Sequence, residues 1–170
     1  MSELDEGRRA KDHFFAHDPQ SPLTAHQRQG FFGLRYFPEN PGLRLEVVVE
    51  PAAETAPVEM QTSTGDVQVF TDVGRFRFDV NGHQAELTIY EGMGGLFLPF
   101  VDALSGSETY PAGRYLEPEH LASGRVLVDF NLAYNPYCAY NAQWSCPVPP
   151  FENRLTVSIR AGEQIFDDTH

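Results

Sequence analysis

Residues 76–89 read FRFDVNGHQAELTI. Two alternating apolar runs, Phe76, Phe78 and Val80, then Ala85, Leu87 and Ile89, flank the dipeptide Asn81-Gly82. A two-residue connection matching the twist of paired strands needs positive φ at both central positions, and Asn-Gly supplies it at least cost. Alternate strand residues point to opposite sides of a sheet, so this stretch predicts an antiparallel hairpin with one buried face. Similar signals recur along the chain. Leu43, Leu45, Val47 and Val49 alternate as a strand. Residues 58–62 and 67–70 flank a turn at Thr64-Gly65-Asp66. Gly92, Gly94 and Gly95 interrupt the pairing, and residues 96–100 predict a further short strand. Val126, Val128 and Phe130 form one more, and Leu155, Val157 and Ile159 the last. Short strands at hairpin spacing predict a mainly β protein, an antiparallel β-barrel or β-sandwich.

The N-terminal segment, about 1–30, reads as helical. Ser2 caps a first helix with Asp5 three residues on, and Leu4, Arg8, Lys11 and Phe15 form its stripe. A second helix is predicted from Ser21 as cap and Pro22 in the first turn, with Leu23, His26 and Gln27 on one face and Gly30 as terminator. One or two short helices then cover an open end or a face of the β-rich body, about 35–165. At 170 residues one domain, 1–170, is expected.

Acidic residues number 24 against 12 basic ones, a formal net charge of -12. That disfavours nucleic acid, which requires a basic footprint, and anionic membranes. The N-terminus lacks a signal peptide's basic start and apolar core, so a cytoplasmic setting is expected. Lys11 is the one lysine beside eleven arginines, the pattern of a halophilic archaeon. No cofactor is implied. The oligomeric state is unreadable.

Three segments concentrate chemistry: RYFPENPGLR, LPFVDALSGSETYPAGRYL and DFNLAYNPYCAYNAQWSCPVPPFENRL. In the second, Pro111 and Gly113 turn Arg114 back towards Glu108 or Asp102. That pairing either locks a long connection or places a forked donor at a pocket mouth. In the third, Asp129 and Asn131 share a face, and Tyr134, Tyr137 and Tyr140 add hydroxyls to apolar bodies. Such density either ties down an irregular loop or lines a cavity for a small ligand. The ligand-binding candidates are Arg114, Tyr115, Asn131, Tyr134 and Asn135. For a hydrolase-like enzyme, Glu108 or Asp129 serves as general base and Cys138 as nucleophile. A structural or interaction module is the remaining reading. Cys138 and Cys146 read as buried free thiols in a cytoplasmic chain, with a disulfide and a metal pair as alternatives. No residue is assigned to a metal.

The segments SPL, RYFPENPGLR, TSTGD, LFLPFVDALSGSETYPAGRYL, DFNLAYNPYCAYNAQWSCPVPPFENRL and IRAG, in this order, resemble the domain-of-unknown-function family 1684 of bacteria and archaea. The resemblance runs from about Arg9 to Gly162. It implies a compact single-domain protein and supplies no activity. Matching motif residues include Glu108, Thr109, Tyr110, Gly113, Arg114 and Tyr115, then Asp129, Asn131, Tyr134, Asn135, Tyr137, Cys138, Cys146, Pro147, Asn153 and Arg154.

Overall fold

The computed structural model describes residues 2–166. Helix α1 (Glu3–His17) opens on the expected capping box: the Ser2 hydroxyl accepts the Asp5 N–H at 3.1 Å, and the Asp5 carboxylate accepts from Ser2. Glu3, Asp5 and Glu6 in the first turn also suit the positive end of the helix dipole. Helix α2 (Ala25–Gln29) starts three residues later than predicted, on a Thr24–Gln27 capping box. Ser21 is instead buried behind α1. Its hydroxyl donates to the Phe15 carbonyl at 2.7 Å and accepts the Leu23 N–H at 3.2 Å, closing the turn between the helices. Gly30 ends α2 as expected.

Among the described residues, nine strands follow: β1 (Arg44–Val47), β2 (Glu50–Pro51), β3 (Pro57–Gln61), β4 (Val67–Val80), β5 (His83–Gly92), β6 (Gly95–Phe100), β7 (Arg114–Leu116), β8 (Glu119–His120) and β9 (Val126–Asp129). They form a three-stranded sheet, β1-β9-β8, and a six-stranded sheet, β2-β4-β5-β6-β7, with β3 also paired to β4. Every strand pairing is antiparallel. Both sheets are open, so the mainly β architecture is sandwich-like. The Asn81-Gly82 turn links β4 to β5 with φ of 49° and 82°, as the hairpin reading requires.

Two sequence expectations are corrected. The strands read at 67–70 and 76–80 are one strand, β4, bent by a bulge between Asp72 and Gly74. A Cβ on Gly74 would sit 2.2 Å from the Glu50 carbonyl, so the close approach of β2 demands glycine there. Residues 155–159 are not a strand. They run beside Val101 through backbone bonds at Leu155 and Ala103, but side chains satisfy the groups at Ile159.

The main core lies where β4–β7 face β1 and β9, through Phe76, Phe78, Leu87, Ile89, Leu98, Phe100, Val128 and Phe130. Burying each such side chain contributes about 1.5–3 kcal/mol. A second cluster holds Phe15 of α1, Leu23 and Tyr140, with the Phe15 and Tyr140 rings edge-to-face at 5.1 Å. It docks α1 onto the residue 137–140 segment.

Candidate functional site

Strand β7 carries Arg114 and Tyr115 side by side, and neighbouring strand residues point to opposite faces. Arg114 points inward and is 1% exposed. Its guanidinium donates to the carbonyls of Ala161, Glu163 and Ile159 at 2.5–3.0 Å and lies 3.7 Å from Asp102. Asp102 also accepts the Thr109 hydroxyl and the Ile159 N–H, each at 2.8 Å. Burial lowers the Arg114 pKa to about 10, opposed by Asp102 and Glu163, so the side chain stays charged at neutral pH. The sequence reading offered the Arg114 donors to an anion; in the structure they are directed to the chain's own carbonyls. Of the two partners anticipated for Arg114, Asp102 is the one it meets. Glu108 pairs with Arg160 at 2.8 Å on the surface.

The amides of the third segment are used in the same way. Asp129 accepts both the N–H and the Nδ2 of Asn131, and lies 3.8 Å from Arg44. Asn131 completes a two-bond pair with the backbone of Asn40, which fixes the RYFPENPGLR loop. The Asn135 N–H donates to Glu163 at 3.0 Å, its Nδ2 to the Gln164 carbonyl, and Tyr140 adds a hydroxyl to the same Glu163 oxygen. The other Glu163 oxygen binds Lys11, tying α1 to this network. Asn131 and Asn135, read from the sequence as ligand contacts, are thus buried and bonded to the chain's own backbone. Of the proposed general bases, Glu108 is committed to Arg160 and Asp129 to Asn131. The hydrogen-bonding neighbours of Cys138 are instead Tyr110 and Cys146.

Tyr115 and Tyr134 do come together. Their backbones form an antiparallel bridge and their rings meet edge-to-face at 5.9 Å. Both face a surface cleft of about 530 Å³ between β4, the β5–β6 turn, β6 and the segment at Pro147. Phe70 stacks on Phe97 at 5.2 Å, and Phe97 meets Tyr115 edge-to-face at 4.8 Å, so a run of four rings forms one wall. Val69, Met93 and Leu96 add apolar surface, and Glu117 is the charged residue of the lining. The Tyr134 hydroxyl donates to Glu117, and the Tyr115 hydroxyl to the Pro147 carbonyl. Burial pushes both phenol pKa values far up, so both remain neutral. The cleft is therefore aromatic and apolar, where the sequence suggested a polar pocket of amides and arginine.

Sequence reasoning missed the parts β4 and β6 contribute. Phe70 and Phe97 read as core, and nothing local marks them as half-exposed. It also left Glu163 and Asn153 outside the candidate site. Asn153 is fully buried; it accepts the Thr88 N–H and donates to the carbonyls of Thr88 and Pro99, each at 2.8 Å. Only its place beside prolines in an otherwise irregular segment hinted at such a role.

Among the described residues, no helix is long and apolar enough to cross a membrane. No curated protein matches the chain. A solved structure is similar to it: the solution NMR structure of the uncharacterized protein from gene locus rrnAC0354 of Haloarcula marismortui, with 36% identity and a TM-score of 0.72. That match covers 99% of this chain and 95% of the relative. The model of a protein family of unknown function, DUF1684, matches residues 29–164. The chain belongs to the DUF1684 family.

Proposed function

We propose that this protein is a one-domain binder of a small, largely apolar molecule, held in the aromatic cleft beside Tyr115 and Tyr134. One observation carries this reading: a concave opening of about 530 Å³, within the size range of ligand sites, walled by four aromatic rings and a single carboxylate. Aromatic faces attract flat apolar groups and cations, and Glu117 repels anions. The ligand class is therefore a neutral or cationic molecule with an aromatic or compact apolar body. A high-salt cytoplasm as its setting is supported by the acidic, lysine-poor composition and by the Haloarcula relative.

Backbone amide NMR during titration with small neutral aromatics, aromatic amines and aromatic carboxylates tests the reading. The expected result is saturable shifts at residues 92–97, Tyr115 and Tyr134, with amines ahead of carboxylates and loss of binding in Phe97→Ala. Carboxylates binding best, or shifts that map to another face, would overturn it.

A further inference from the structure

Cys138 sits in a tight 3₁₀ turn (Tyr137–Ala139), and Cys146 in the extended segment that covers the outer edge of β3. Both are free thiols. The Cys138 N–H points at the Cys146 sulfur, 3.3 Å away. Adding the N–Cα bond puts that sulfur within roughly 5 Å of the Cys138 Cα. In a disulfide the Cα–Cβ, Cβ–S and S–S bonds carry the partner sulfur to at most roughly 5 Å from a cysteine Cα, so the Cys146 sulfur lies within reach of the Cys138 side chain. The surroundings are polar. The Tyr110 hydroxyl donates to the Cys138 sulfur at 3.7 Å. Ser63 holds Cys146 from both sides, donating its N–H to the Cys146 carbonyl at 2.9 Å and accepting the Cys146 N–H on its hydroxyl at 3.1 Å. Exposure differs between the two: Cys138 is half-buried and Cys146 buried.

This arrangement separates two roles. The hydrogen bond from Cys146, helped by Tyr110 and Ser63 and opposed by burial, brings Cys138 down to about pH 6. The same contact pushes Cys146 up. The outer sulfur is then the thiolate near neutral pH and the inner one keeps the proton.

We propose that Cys138 and Cys146 form a peroxide-reactive dithiol, with Cys138 as the attacking sulfur and Cys146 as the resolving one. The Cys138 thiolate attacks a hydroperoxide oxygen; an S–O bond forms and the O–O bond breaks. The departing hydroxide or alkoxide takes the Cys146 thiol proton and leaves as water or alcohol. The Cys146 thiolate then attacks the Cys138 sulfenic sulfur; the S–S bond forms, the S–O bond breaks, and hydroxide takes a solvent proton to leave as water. Two thiols are oxidised to a disulfide and one hydroperoxide is reduced. A hydroperoxide suits the site because it reaches a half-buried sulfur that a bulky disulfide substrate, which needs three sulfurs in line, does not. The inference is independent of the cleft reading.

The test is titration of the reduced, full-length protein with hydrogen peroxide, read by non-reducing intact mass. One equivalent is expected to remove two hydrogens, reversibly with dithiothreitol. Cys146→Ser is expected to stop at a dimedone-trappable sulfenic acid on Cys138, and Cys138→Ser to lose the fast reaction. On the wild-type protein, which does not depend on variants folding, iodoacetamide alkylation at pH 5.5 is read against free cysteine. The thiolate fraction favours Cys138 about 200-fold there, and its weaker nucleophilicity removes about tenfold, leaving a net advantage of roughly twentyfold. Alkylation no faster than free cysteine, trapping on Cys146, or no disulfide after one equivalent of peroxide would each overturn the proposal.

Discussion

Replacing Asn153 with alanine tests the idea that side chains substitute for strand pairing in this fold. The Asn153 amide makes three bonds of 2.8 Å, to the Thr88 N–H, the Thr88 carbonyl and the Pro99 carbonyl. It does so where the β5–β6 register ends at Tyr90 and Phe97, so those backbone groups have no ladder partner from each other. Each satisfied bond is worth about 1 kcal/mol net, and each buried group left unpaired costs about 1–3 kcal/mol. The expected loss is about 3–6 kcal/mol, a large part of a typical folding free energy of about 5–15 kcal/mol. For a chain of this size that is a fall of roughly 10–20 °C in melting temperature. Calorimetry, with urea denaturation at fixed salt, measures it. Asn153→Asp sharpens the test. Its oxygen still accepts from Thr88, but the second oxygen faces two carbonyls where a donor stood. The new carboxyl is expected to titrate above its unfolded value, so this variant should gain stability as pH falls, opposite to an ion-paired acid. A loss below about 1 kcal/mol for the alanine variant, or an aspartate variant tolerated at neutral pH, would refute the reasoning.

Arg114→Met leaves three buried carbonyls and Asp102 without their cation and should cost about 3–5 kcal/mol by chemical denaturation, whereas Glu108→Gln, at an exposed pair, should leave the melting temperature nearly unchanged. Gly74→Ala should detach β2 from β4, because its Cβ meets the Glu50 carbonyl at 2.2 Å; hydrogen exchange at residues 50–52 and 73–75 is expected to accelerate together. Stability should rise with potassium chloride from low salt upward, since screening relieves the self-repulsion of a chain with net charge -12; a flat melting temperature across that range would contradict this.

The sequence shows local chemistry well and distant partnership poorly. Asn81-Gly82 and the Ser2–Asp5 box were readable because both halves of each device lie within a few residues. Ser21 was misread as a cap because serine before proline looks the same whether its hydroxyl serves a following helix or, as here, the Phe15 carbonyl behind it. Residues 155–159 alternate like a strand, yet their neighbours are Asp102 and Arg114, some fifty residues away. At the site, Arg114 and Tyr115 read as one group because their segment reads as a loop; the strand β7 puts adjacent residues on opposite faces and so separates them. Phe70 and Phe97 were illegible for another reason: an aromatic in a strand reads as core until the sheet's edge is known.

The distribution of polar side chains explains why the most distinctive segments are the least informative about ligands. Between β6 and β7, and from Phe130 to Gln164, the chain makes few ladder bonds, and buried stretches alternate with exposed ones. Its N–H and C=O groups still need partners. Arg114, Asp102, Asn131, Asn135, Asn153 and Glu163 supply them, each bonding main chain that is distant in sequence. A side chain engaged in this way cannot also bind a ligand without releasing a buried backbone group, at a cost of about 1–3 kcal/mol per group. On the proposed reading, recognition falls to groups whose removal leaves the backbone satisfied: the rings of Phe70, Phe97 and Tyr134, and the Cys138 sulfur. Substitutions among those groups should change binding or thiol chemistry while the fold persists. Substitutions in the amide and arginine set should change stability first, and any effect on binding should follow only as the structure is lost.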